Sequence, residues 1–461
     1  MSRAGAVLER GRWAARAYAG YDAATVDRIV RAVARAAASG AAGHAALAVA
    51  ESGLGVPAHQ ELAGHACSSG VAKVHVGADL VTPVGDGRTV SVPRPAGLIL
   101  ALTPATGAPV AAAYHMVLLA AMTRNAIVVR PHPSVARSCA EAVRALAGAA
   151  VEAGAPDGAI QVADDDGLLG DPRVDLVLAA GDEEEVRAAY RSGVPALGLG
   201  PGNAPVLVDG TADPRAAAGH IVASASFDNG LSRAAESVLI VPEAAADALV
   251  AALRAAGAYP LGAAEADRVR ELLPEAVGRD AVWIAERAGA RVPAGTRLLL
   301  APMPLAVPED PLTGPTRCPV LGVVRVPSAA RGIAAARAVL RVAGAGHTAA
   351  IHSADPEAIM TYAAALPAAQ VRVNEGAALD AAGRPHPFLI GPRGPLEPAD
   401  LVRWTRFPGA KAPIDPWTAP RGPVPGYPVA SNLAGEPGTP GPPPPYCARG
   451  RRRHHHEERA P

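Results

Sequence analysis

The sequence predicts an α/β protein built of two three-layer α/β domains, each a largely parallel sheet covered by helices on both faces. Short apolar runs alternate with longer helical stretches along most of the chain, the pattern of parallel strands joined by crossover helices. The alternation runs through two successive series. At 461 residues, half of them hydrophobic, the chain is long enough to bury two or three cores.

Taken in order, Ala24 to about Ala50 carries small apolar residues at helical spacing between Arg28, Arg31 and Arg35, a helical lead-in. After Pro95 the texture changes to GLILALT, a helix near Val110 to Met122, AIVVR, a helix from Ser134 to about Ala153, then VDLVLAAG and PALGLG. That succession is a Rossmann-type, dinucleotide-binding architecture. A second series starts near Ala212 with SVLIV, PVLGVVRV, TAAIHS and QVRVN as its strands. The expected organisation is a lead-in plus Rossmann-type domain over 1–211, a catalytic-type α/β domain over 212–380, a partly ordered extension over 381–432, and a disordered proline-rich, basic tail over 433–461. The RRRHHH run in that tail reads as a solvated basic end.

Charge narrows the function classes. Forty-three basic and 43 acidic side chains cancel, so no overall field draws the chain to nucleic acid or an anionic membrane, and a small ligand is the expected partner. Lys73 and Lys411 are the only lysines, a skew that reads as coding bias. Cys67, Cys139, Cys318 and Cys447 are scattered, which argues against a disulfide framework or a zinc site and makes a reducing cytoplasm the expected compartment. The first twenty residues lack the apolar core of a signal peptide. Residues 96–122 carry no Asp, Glu, Lys or Arg, yet Pro104, Gly107, Pro109 and His115 interrupt them, so they read as a buried strand, turn and helix.

The stretch FDNGLSRAAESVLIV, residues 227–241, resembles the catalytic segment of the CoA-acylating aldehyde dehydrogenases, in which Phe or Tyr, DNG, two residues, a cysteine and a nearby glutamate follow one another. PAGLILALTPATGAPV, MTRNAIVVRPHPS, PALGLGPGNAPVLVD, AGAGHT and RVN match further segments of that family in one frame over residues 8–375. The resemblance implies an aldehyde dehydrogenase-like fold and the conversion of aldehyde, CoA and NAD to acyl-CoA and NADH. The same resemblance implies NAD or NADP as cofactor, CoA as co-substrate if the chain is active, and assembly as a homo-oligomer or with an active paralogue. It places Thr103, Pro104, Arg130, His132, Gly181, Gly200, Gly202 and Asn203 at the cofactor crevice. Gly200, Gly202 and Asn203 read equally well as a tight turn between strands. Glu236 matches the family glutamate and His347 the family histidine, for which a structural role in a small-residue turn is the alternative to proton transfer. His132, flanked by prolines, carries the same ambiguity.

Three departures stand out. The family cysteine falls on Arg233, a guanidinium with no lone pair for attack on an aldehyde. The family's oxyanion-binding asparagine falls on Gly107, and losing one such donor lowers the rate by ~100-fold or more. Where the family reads TGG at a helix start facing the cofactor pyrophosphate, this chain reads Ala180, Gly181, Asp182 and then Glu183, Glu184 and Glu185. Carboxylates there satisfy the helix amides themselves and repel a pyrophosphate, although Asp182 is equally an ordinary helix cap. Three functional expectations follow: a catalytically impaired member whose Arg233 pairs with a carboxylate or phosphate ligand; an active oxidoreductase in which Cys318, Ser232 or a cysteine of another subunit replaces the thiol; and a structural partner of an active homologue.

Overall fold

The computed structural model describes residues 3–75, 80, 83–85, 89–163, 165–386, 389–391 and 394–408. The tail beyond residue 432, its RRRHHH run and Cys447 lie outside the described residues. Five parallel strands form the first sheet in the order Ile160–Val162, Ala126–Arg130, Leu98–Leu102, Leu176–Ala179 and Ala196–Gly198. Every residue of Leu98–Leu102 is buried, as a central strand covered on both faces requires. The chain enters at this central strand, winds to one side and returns to the other. The order of strands therefore reverses between Leu98–Leu102 and Leu176–Ala179, and a crevice opens at their carboxyl ends.

Residues 96–122 resolve into that strand, a turn and the helix Pro109–Met122, which is buried around its circumference. No helix among the described residues is long and apolar enough to cross a membrane. The lead-in helix spans Ala23–Ser52, started by the Asp22 side chain on the Thr25 amide and stopped by Gly53 in a left-handed conformation. Its penultimate residue, Glu51, reaches to a second helix, Ala136–Glu152, and accepts from the amides of Arg137 and Ser138, each at 2.8 Å. One helix thus supplies the anionic cap of another.

The second sheet has seven parallel strands in the order Ala258–Pro260, Leu298–Met303, Val320–Val326, Glu236–Pro242, Ala204–Val208, Thr348–His352 and Gln370–Val373. The strand Ala204–Val208 corrects the expected boundary at 211. It lies near the middle of the second sheet, paired with Glu236–Pro242 and Thr348–His352, so the chain crosses between the sheets at about residues 199–203. An all-buried strand has the same texture in either sheet, which is why the pattern alone misplaces it. Both sheets belong to one compact unit. The strand Val402–Pro408 from the C-terminal extension pairs antiparallel with Thr89–Pro95, just upstream of the first sheet.

Candidate functional site

The loop from Phe227 to Glu236 leads into the strand Glu236–Pro242 of the second sheet and, through Arg233, reaches the carboxyl ends of two strands of the first. Asp228, Asn229 and Gly230 all take left-handed backbone, with φ of 53, 53 and 73°. For Asp and Asn this costs roughly 1 kcal/mol each and is tolerated better than by other side chains. Partners far away in the chain offset the cost. The Val56 amide donates to Oδ1 of Asp228 at 2.7 Å, Gln60 Nε2 donates to Oδ2 at 3.3 Å, and Asn229 Nδ2 donates to the Gly278 carbonyl at 3.0 Å. The Asp228 amide donates to Nδ1 of His59, whose ring stacks on Phe227 at 4.7 Å. Burial pushes the Asp228 carboxyl up to about 7. A β-carbon on Gly230 would sit 2.4 Å from the Cys318 carbonyl, so the third position admits glycine alone.

Arg233 projects from this loop into the crevice of the first sheet. Its Nη1 donates to the Leu199 carbonyl at 2.7 Å and its Nη2 to the Gly181 carbonyl at 2.9 Å. These carbonyls follow the strands Ala196–Gly198 and Leu176–Ala179. The terminal nitrogens expected to meet a ligand anion are therefore engaged by backbone. Only Nε, shielded from solvent, finds no partner. Burial, and then the like charge of Arg317, pull the guanidinium down to about 10, so it stays protonated at neutral pH.

Gly107, Gly181 and Gly202 crowd around the same side chain. Gly107 has φ of 73°, and a β-carbon there would lie 2.9 Å from the Leu231 carbonyl and 3.5 Å from Cγ of Arg233. At Gly202 it would lie 1.9 Å from the Arg233 carbonyl and 2.7 Å from Nδ1 of His347. At Gly181 it would meet Oε2 of Glu185 at 2.1 Å. That carboxylate folds back over the helix start: Oε2 accepts from the Asp182 amide at 3.2 Å while Asp182 Oδ1 accepts from the Glu185 amide at 3.0 Å, closing a capping box on the helix Glu183–Arg191. Arg130 approaches the outer oxygen of Glu185 at 3.8 Å.

The other expected site residues divide between the pocket wall and buried structural contacts. Glu236 lines the same pocket as Arg233, its carboxylate accepting from the Ser224 hydroxyl at 2.6 Å and the Ala377 amide at 2.8 Å, and burial pushes it up to about 7. Asn203 is fully buried and donates to the carbonyls of Thr313 and Val339 at 2.8 and 3.1 Å, so its amide ties the second domain together and does not face the crevice. Gly200 has open space where a β-carbon would stand. Thr103 is buried with Pro104 at the end of the central strand, where its hydroxyl accepts from the His132 amide at 3.2 Å. His132 lines the pocket and pairs its Nδ1 with the Ser134 hydroxyl at 2.8 Å. His347 is buried with neither ring nitrogen partnered, and burial together with Arg233 pulls it down to about 3.

The remaining pocket, about 70 Å³, lies between Ala105, Thr106 and His132 on one side and the loops 230–237 and 315–318 on the other. Cys318 lies in its wall, 3% exposed, and burial pushes its thiol up to about 12, far from a thiolate at neutral pH. Ser232 lies there too, its shielded hydroxyl without a partner. Arg317, exposed in the same wall with φ of 52°, escaped the sequence reading because nothing in PTRC marks a left-handed arginine. His59 and Gln60 likewise carried no signal. Among the described residues no group of three or more His, Cys, Asp or Glu is placed to hold a metal.

The model of the aldehyde dehydrogenase family matches residues 6–274. The chain is 30% identical over 406 residues to the bifunctional aldehyde-alcohol dehydrogenase AdhE of Escherichia coli, aligning 84% of itself and 46% of that protein, so it spans about half the length of this relative. It is 30% identical to the acylating sulfoacetaldehyde dehydrogenase of Cupriavidus necator over 80% of itself and 79% of that enzyme. The acetylating aldehyde dehydrogenase structure from Geobacillus thermoglucosidasius superposes with a TM-score of 0.84 at 29% identity, covering 88% of this chain and 96% of that one. The Rhodopseudomonas palustris propionaldehyde dehydrogenase with bound propionyl-CoA gives 0.79 at 25% identity, covering 88% and 93%. The chain belongs to the aldehyde dehydrogenase family and groups with its acylating members.

Proposed function

We propose that this protein is a catalytically impaired member of the CoA-acylating aldehyde dehydrogenases, its crevice occupied by its own side chains. The observation that carries the reading is Arg233, aligned with the family nucleophile and bonded through both terminal nitrogens to the carbonyls of Gly181 and Leu199. A thiol nucleophile is replaced by a group that attacks nothing and braces the two sheets. The residues fit a dinucleotide pyrophosphate poorly: two of the amides at this helix start, those of Asp182 and Glu185, donate into the capping box, and the two carboxylates repel an anion there.

Substitute nucleophiles are disfavoured. Cys318 is a buried, protonated thiol, and Ser232 has no base in hydrogen-bond reach. Glu236 is engaged by Ser224 and Ala377, and His347 is a neutral ring without a partner.

Calorimetric titration of the full chain with NAD, NADH and CoA tests the reading, together with an NADH-production assay using short aldehydes. The expected result is neither cofactor binding nor turnover up to millimolar ligand. Micromolar binding of NADH or CoA with measurable turnover overturns it.

A further inference from the structure

Residues 394–408 return to the first domain after the last strand of the second sheet, and they close over a buried histidine. His115, on the helix Pro109–Met122, is 2% exposed, and its ring donates to the Leu396 backbone. Its Nδ1 is shielded from solvent and has no partner. A second proton would have to go to that nitrogen, where no acceptor meets it and solvent does not reach, so the ring is held neutral while the extension is in place. Burial, and then the charge of His75, pull it down to about 4.

The extension is fastened at three further points. The Leu401 carbonyl accepts from the Ala96 amide at 3.2 Å and from Asn125 Nδ2 at 3.0 Å, the Glu397 carboxylate lies 3.5 Å from Nε2 of His75, and Val402–Pro408 pairs with Thr89–Pro95. No charge around His115 offsets a proton there. Lys73 and His75 come from the helix Val71–Val74 and its cap, and Glu397 and Asp400 from the extension, where Asp400 accepts from the Glu397 amide. His44, Glu141 and the Glu61–His65 pair belong to helices packed on the Tyr114 side. Of all these only His75 bears on His115, and it repels a charge. We infer that residues 394–408 form a strap that lifts in acid, because His115 can take up a proton only once the strap has left it.

The sign follows from linkage. With the strap off, His115 titrates at its ordinary 6.5, so closure is fully favoured above that value and weakens as pH falls toward 4. Hydrogen exchange of the full chain, followed by mass spectrometry at pH 7 and pH 5 and corrected for the intrinsic effect of pH, reads the strap directly. Protection of residues 394–408 is expected to fall about ten-fold or more between those values, while the helix Ala263–Ala276 of the second domain keeps its protection. Asp228 and Glu236 titrate in the opposite sense, so acid acting on the whole chain would not single out the strap. His115→Gln, which can still donate to Leu396 but does not titrate, should abolish the fall, and so should His115→Phe. Equal strap protection at both pH values in the wild-type chain overturns the inference. So does a fall shared equally by the helix Ala263–Ala276, or an undiminished fall in whichever variant folds.

Discussion

Nη1 of Arg233 lies 2.7 Å from the carbonyl oxygen of Leu199, so a side chain from the second domain's loop is anchored on the edge strand of the first sheet. The bond is charge-assisted and shielded, and its partner at Gly181 is of the same kind.

Arg233→Ala leaves both carbonyls without their donor. We expect a loss of about 2–4 kcal/mol, read as a lower urea midpoint at unchanged m. A midpoint equal to wild type would show that the strut carries no stability.

Arg233→Cys introduces the thiol but none of its surroundings. Gly107 still lacks an amide side chain and Glu185 still covers Gly181, so NADH production from propionaldehyde and CoA should remain at least ~100-fold below that of an acylating enzyme assayed alongside. Activity comparable to that enzyme would place the impairment in the nucleophile alone.

Gly202→Ala forces a β-carbon to 1.9 Å from the Arg233 carbonyl, a clash with backbone that no rotamer relieves. The expected cost is about 3 kcal/mol or more, visible as a sharp fall in Tm or in soluble yield. Gly200→Ala, with open space at the same atom, serves as the matched control.

The buried carboxyls set a pH dependence. Glu236 rises from 4.5 to about 7 on folding, so between those values the native state binds a proton that the unfolded state has lost. The sign follows from linkage: this contribution is fully present below about 4.5 and is lost as pH rises through 7. Asp228, raised from 3.8 to about 7, acts in the same direction. Glu236→Gln should therefore flatten the decline in urea midpoint between pH 5 and 8. A slope identical to wild type would show that Glu236 does not titrate in that window.

Asp182→Ala with Glu185→Ala opens the capping box. The cap costs about 1 kcal/mol to lose, and in exchange the helix amides and the space over Gly181 become available to a phosphate. NADH fluorescence should report affinity at least ten-fold above wild type. Unchanged binding would shift the exclusion of cofactor onto Arg233.

Much of this was legible in the sequence, and the reasons differ by residue. The apolar runs from Leu98, Ala126, Val238 and Val320 become central strands because a strand covered on both faces must be apolar throughout. Asp182 caps its helix because Asp followed three residues on by Glu satisfies two amides reciprocally. Ala204–Val208 was misassigned because apolar texture marks burial and not the sheet that provides it. Arg233 was located but its acceptors were not: Leu199 and Gly181 take part through carbonyls, which every residue possesses and no sequence distinguishes. The anchoring of the Glu236 carboxylate depends on Ser224 and Ala377, 12 and 141 residues away, whose meeting is a product of the fold.

The glycines around Arg233 also bear on how such a site changes over generations. Gly107 and Gly202 fit against the backbone of the loop that carries Arg233, and the Glu185 carboxylate lies where a side chain on Gly181 would stand. Contacts this close make substitutions strongly non-additive. If the crevice is impaired as proposed, a single step toward the thiol loses the two backbone bonds of Arg233 and restores neither an amide donor nor an open phosphate seat. The side chains around Arg233 therefore hold one another in place, and each is costlier to change alone than together with its neighbours.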